Sequence, residues 1–99
     1  MRLRAVDRYL VPATDTVLRE LEDAGGAIIG QPGLFYRQLS QHLGIDTRCL
    51  AAAVDRLWRA GTIEKLYSGT NHFFVVGICL PGRSFRDEEV SHLEDYEIG

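Results

Sequence analysis

The feature that most constrains this chain is the spacing of apolar residues around one glycine. In "LFYRQLSQHLG", residues 34 to 44, Leu39 and Leu43 stand four apart and Gly44 follows at once. Residues four apart share a helix face, and a glycine just past the last of them takes the left-handed conformation that ends a helix. Asp46 or Thr47 then offers a side-chain oxygen to cap a new helix. Within that helix Leu50, Val54, Leu57 and Trp58 fall in one narrow arc at about 100° per residue, so they face a core, and Gly61 is the next stop. Two helices joined by so short a turn have to pack against each other and against something else.

The flanking sequence supplies the partners. "PATDTVLRELEDAGG" reads as an earlier helix: Thr14 or Asp15 suits its first turn, Val17, Leu18 and Leu21 form one stripe, and Gly25-Gly26 end it. The opening "MRLRAVDRYLV" fits a helix by Leu3, Val6 and Leu10 and a strand by the alternation Arg2-Leu3-Arg4. "AIIGQPG" is a short apolar run followed by a turn, suited to a brief edge strand. "TIEKLY" and "HFFVVGICL" are rich in β-branched and aromatic residues and flank the turn-forming "SGTN", so they predict a β-hairpin, with Phe73 and Phe74 on opposite faces. The hairpin would cover the open side of the three helices. Ser84 then suits the cap of a final acidic helix carrying Val90, Leu93 and Tyr96.

Ninety-nine residues, 45% of them hydrophobic, suit one domain with a modest core. No run approaches the ~18 consecutive apolar residues of a membrane span, and the N-terminus lacks the apolar core and cleavage site of a signal peptide. Cys49 and Cys79 are too few for a disulfide framework, so a cytoplasmic setting with both thiols free is expected. The net charge of −3 hides an asymmetry: residues 87 to 99 carry six acidic groups and no Lys or Arg, which leaves the rest of the chain at +3. A mildly basic body with an acidic tail points to nucleic acid or to an interaction tail.

At "YRQLSQHLGIDTRCLAAAVDRLWRAGTIEKLYSGTNHFFVV" the chain resembles the winged helix-turn-helix family, across roughly residues 15 to 80. Leu39, small Ser40, Leu43, Gly44, Ile45, Leu50, Ala53, Leu57 and Gly61-Thr62-Ile63 carry the resemblance. Ser40 lets the two helices approach, and Leu39, Leu43, Ile45 and Leu50 pin their crossing. The fold implied is α+β: a three-helix helix-turn-helix core over residues 14–82 with a C-terminal hairpin wing, flanked by an N-terminal extension, 1–13, and an acidic tail, 83–99. Two departures stand out: "GGAIIGQPG" is longer than the pattern needs, and the wing tip "YSGTNH" holds no arginine, where family members often carry a basic wing.

The resemblance implies sequence-specific binding of double-stranded DNA, with the third helix in the major groove and a role in transcription regulation. The side of that helix opposite the core arc carries Arg48, Ala52, Asp55, Arg56 and Arg59, flanked by Thr47, Cys49 and Ala51. Arg48 suits a guanine edge, and Ala51 and Ala52 allow close approach or contact with a thymine methyl. Arg56, Arg59, Arg37 and Lys65 suit phosphates, with Ser68, Thr70 and Asn71 reaching from the wing. Asp55 either pairs with Arg59 four residues on or accepts from a cytosine amino group. Such regulators commonly work as homodimers, here through one or both terminal extensions; alternatively the acidic tail folds over the basic face.

The competing reading is a winged-helix adaptor that binds protein, favoured by the net charge and the neutral wing. No enzyme is expected: no Ser, His and Asp cluster stands in a motif setting, and "GGAIIG" lacks the preceding strand and acidic partner of a dinucleotide site. No cofactor is implied. His42, Cys49, His72, Cys79 and His92 form no close ligand pair, so no metal site is expected, and Cys79 reads as a small buried hydrophobe.

Overall fold

A computed structural model describes residues 5–69 and 74–99, with side chains described from residue 13 onward. In chain order they form α1 (Ala5–Asp23), β1 (Ala27–Ile29), α2 (Phe35–Leu43), α3 (Thr47–Arg59), β2 (Glu64–Ser68), β3 (Phe74–Cys79), α4 (Asp87–Val90) and β4 (Glu97–Ile98), an α+β fold. The strands make one antiparallel sheet in the order β1-β3-β2-β4. Among the described residues no helix is long and apolar enough to cross a membrane.

Helix α1 is longer than its clearest apolar stripe. It runs unbroken from Ala5 through Pro12, so the opening segment is helical from Ala5, and Thr14 and Asp15 lie inside the helix instead of capping it. Pro12 brings no N–H to the ladder, a cost tolerated here because the turns that follow are anchored by burial: Ala13, Val17 and Leu21, each four apart, are all in the core. The helix ends where Gly26 N–H bonds to the Leu21 carbonyl at 2.8 Å.

Helices α2 and α3 form as their spacing predicts. Phe35 and Leu39 bury the inner side of α2; Leu50, Ala53, Val54 and Leu57 bury that of α3. Gly44 takes φ 66° and ψ 29° between them, a left-handed conformation costly for any residue with a Cβ. The turn is further tied by side chains. The Ser40 hydroxyl donates to the Ile45 carbonyl and accepts from Thr47 Oγ1 at 3.1 Å. Asp46 caps α3, its carboxylate accepting from Arg48 N–H at 3.1 Å.

The sheet has two buried faces. On the helix side Ile28, Ile63, Val75 and Ile78 join Val17, Leu21, Phe35, Leu39, Leu50, Val54 and Leu57 in the main core. On the other side Leu66, Val76 and Cys79 make a smaller cluster, covered by Phe85 and Leu93. Strict alternation cannot put Val75 and Ile78 on one face. A bulge resolves this: the register between β2 and β3 shifts between Leu66 and Tyr67, so Val76 is the extra residue. Gly77 lies where β1 crosses closest, and a Cβ there would sit 2.6 Å from the Ile28 carbonyl oxygen.

The tail departs from the expected acidic helix. Only one turn, Asp87–Val90, is helical, and Arg86, not Ser84, precedes it. Glu97–Ile98 then adds to the sheet beside β2. Six carboxylates in so short a segment repel one another along any single helix, whereas the sheet offers an apolar face for Phe85 and Leu93 and an open edge for backbone pairing. Arg83 anchors the start of the tail, with its two terminal nitrogens on the Glu89 carboxylate at 3.0 and 2.9 Å. Near its end, Asp95 accepts from Gly69 N–H at 3.1 Å. The tail is thus tied to the sheet, to its own arginines and to the end of α3.

Candidate nucleic-acid interface

The outer face of α3 is the surface to test, because its inner face is fully used by the core. Arg48, Ala52 and Arg56 are exposed and recur every fourth residue, so they stand in one line along the helix. Thr47 is exposed beside them, while Cys49 and Ala51 are half-buried on the flanks. The first turn of α3 has no acidic residue. Thr47 has a prior engagement, since its hydroxyl donates to Ser40. Arg37, on α2, is also exposed.

The far end of α3 behaves differently. Asp55 takes Arg59 Nε at 3.0 Å and Lys65 Nζ at 3.5 Å. Lys65 does not reach outward as a phosphate contact: it is 8% exposed, with its ammonium 4.2 Å from the centre of the Trp58 ring. The reason is register. Lys65 stands opposite Ile78 on the helix-facing side of the sheet, so its stem lies over the end of α3 and its charge needs Asp55 and the indole face. Asp55 therefore pairs with both cations, and its carboxylate is not held free for a base.

The same corner is closed by the tail. Trp58 Nε1 donates to the Gly99 carbonyl oxygen at 2.9 Å, and Gly99 exchanges two backbone bonds with Lys65, at 3.0 and 2.9 Å. Nothing in the sequence links residues 58 and 99, which lie 41 positions apart; only the pairing of β4 with β2 brings them together. Two tyrosines share this neighbourhood. Burial, then the charges of Tyr67 and Asp55, push the Tyr36 hydroxyl up to about 12, and burial followed by Asp55 raises that of Tyr67.

Of the three hairpin residues expected to reach DNA, Ser68 alone is described. Ser68 is buried at the end of β2 and does not present its hydroxyl outward. Thr70 and Asn71, with His72 and Phe73, lie outside the described residues. Asp95, on Gly69 N–H, sets a carboxylate beside the root of the turn.

The remaining polar groups are structural in their geometry. His42 Nε2 lies 2.8 Å from Glu20, and His92 Nε2 lies 2.8 Å from the Gly30 carbonyl. Burial, then the nearby Glu64 charge, raises the Cys79 thiol to about 11 against the opposing pull of Arg83. It is thus a protonated, enclosed group at neutral pH. Among the described residues no three His, Cys, Asp or Glu side chains converge as metal ligands would. Searches against known family models, curated proteins and solved structures found nothing that this chain matches.

Proposed function

We propose that this chain is a winged helix-turn-helix module that binds double-stranded DNA and regulates transcription, with the first half of α3 in the major groove. The observation that carries the reading is the exposed line Arg48-Ala52-Arg56 on a helix set by the tight turn at Gly44. An arginine near the start of such a helix can donate two bonds to guanine O6 and N7, and an alanine one turn on lets the backbone come close. Arg56 and Arg37 serve as phosphate contacts. The order of three helices followed by a hairpin supports the family reading. A dimer held through the N-terminal segment would set two α3 helices on half-sites about one turn apart, and sedimentation at micromolar concentration tests it; a monomer bound to DNA at one half-site would remove that part.

A second reading, an adaptor that binds protein, is favoured by one observation: two of the five basic residues are already engaged, Lys65 on Trp58 and Asp55 and the exposed Arg59 on Asp55. The decisive experiment is titration of duplex DNA at rising salt. Each phosphate contact steepens the fall of log affinity with log salt by about 0.9. Binding at low salt with a slope that drops in Arg56→Ala supports the DNA reading, whereas no binding at low salt overturns it.

A further inference from the structure

A groove lies away from α3, along the outer edge of β1. It has a volume of about 230 Å³, with Ile28, Ile29, Phe35 and Leu39 as its apolar wall and Glu20 and His42 at its rim. Ile28 belongs to the helix-side core and Ile29 to the tail-side cluster. Neighbouring residues of a strand point to opposite faces, so a groove reached by both must run along the strand's edge.

Among the described residues that edge has no strand beside it: β1 is the first strand of the sheet and pairs with β3. Leu80 N–H bonds to the Gly26 carbonyl and Gly30 N–H to the Val76 carbonyl, so Gly26, Ile28 and Gly30 direct their backbone groups at β3. By alternation the N–H and C=O of Ala27 and Ile29 point away from the sheet. The tail holds both ends of this strand, through Arg83 on the Gly25 carbonyl at 3.2 Å and His92 on the Gly30 carbonyl at 2.8 Å. The edge is thus fixed in place, and no described strand caps it. Natural proteins generally cover or charge such edges.

Carboxylates gather beside it, while Arg83, which reaches the start of the strand, is already paired with Glu89. The last turn of α1 carries no basic residue, while Glu20, Glu22 and Asp23 occupy it. This is the helix end where the backbone dipole is already negative and carboxylates are disfavoured. Glu20 meets His42 in an exposed contact at 2.8 Å.

We propose that the β1 edge and its groove bind an extended peptide, added as a fifth strand, with one large apolar side chain in the groove and a lysine or arginine on the α1 carboxylates. Backbone pairing with Ala27 and Ile29 supplies the affinity, and the groove and Glu20 supply the selection. The groove is large enough: an engineered cavity of ~150 Å³ takes benzene. No residue of α3 takes part, so this inference stands apart from the DNA reading.

The test uses the full chain and a fluorescein-labelled synthetic peptide in which leucine alternates with arginine, followed by anisotropy. Three comparisons accompany it: the peptide with glutamate for arginine, the peptide with alternate backbone nitrogens methylated, and the protein variant Glu20→Lys, whose fold is checked by circular dichroism. Expected are saturable binding of the arginine peptide, loss of binding when the pairing nitrogens are methylated, and a weakening of about tenfold in Glu20→Lys. Binding that survives methylation in both alternate registers would be simple charge attraction and would overturn strand addition. Equal binding of the arginine and glutamate peptides would overturn the role of the α1 carboxylates. No binding at millimolar peptide would overturn the proposal as a whole.

Discussion

The two ends of α3 carry similar residues and put them to opposite uses. At its start Arg48 stands exposed, with only its backbone N–H held by Asp46, and Ala52 follows one turn later. At its end Arg59, Trp58 and the neighbouring Lys65 are drawn into a network through Asp55 and Gly99. The difference teaches that a count of basic residues on a helix overstates the charge it can offer. A carboxylate at i−4 and a strand behind the helix convert the far end from a candidate binding surface into a structural joint.

The largest effect expected from breaking this contrast is removal of the tail after Gly82. That cut uncovers Leu66, Val76 and Cys79 and strips Trp58 of its acceptor. Losing the cover of two large apolar side chains costs on the order of 3 kcal/mol, read as a lower denaturant midpoint in chemical unfolding. If the tail were instead a detachable guard of the basic face, the truncated protein would keep its stability and bind DNA more tightly.

Next is Arg48→Ala, expected to weaken binding to a preferred duplex by ~1–3 kcal/mol and to relax selectivity at one base pair. Equal weakening on every duplex sequence would make Arg48 a phosphate contact. At the other end, Trp58→Phe keeps an aromatic face for Lys65 but loses the indole N–H and its bond to Gly99; a stability loss of at least about 1 kcal/mol with unchanged DNA affinity is expected. Smallest is Arg59→Ala, since an exposed pair of this spacing contributes about 0.3–0.5 kcal/mol and its charge is already offset. A large loss of DNA affinity in Arg59→Ala would erase the distinction between the two ends.

The anchor of the tail gives a prediction in pH. The Arg83 guanidinium, then the Arg86 N–H, holds the Glu89 carboxyl down from 4.5 to about 2. A depressed carboxyl favours the folded form above its ordinary value and stops doing so as pH falls through the lowered one. Docking of the tail should therefore weaken between pH about 4.5 and about 2, measured by hydrogen exchange at the Glu97 and Gly99 amides, which face β2, at fixed ionic strength. In Glu89→Gln that pH-dependent component should vanish, with exchange faster already at neutral pH.

The outline of the helical half was legible in the sequence, and for a local reason. Leu39, Leu43, Gly44, Leu50, Val54, Leu57 and Gly61 are related by helical spacing and by the backbone freedom of glycine, both of which act over a few residues. The hairpin and the brief first strand were legible too, from β-branched runs between turn residues. At the candidate site the same periodicity correctly separated the exposed Arg48, Ala52, Arg56 and Arg59 from the buried arc, and the pairing of Asp55 with Arg59. It did not reveal that Lys65 is enclosed, because that depends on which face of β2 meets the helices. Pro12 shows the opposite case: its local preference to break a helix is outweighed by the burial of Ala13, Val17 and Leu21 in the turns beyond it.

By itself the sequence determined where α2 and α3 begin, turn and end, and which side of each is apolar, since those properties follow from neighbours along the chain. Only the tertiary structure decided the fate of the acidic tail and of the end of α3. The bulge at Val76 sets which residues face the tail, and the pairing of β4 with β2 carries Gly99 to Trp58. Both are contacts between distant segments, in which a shift of one residue exchanges the faces of a strand, and no local pattern encodes that choice.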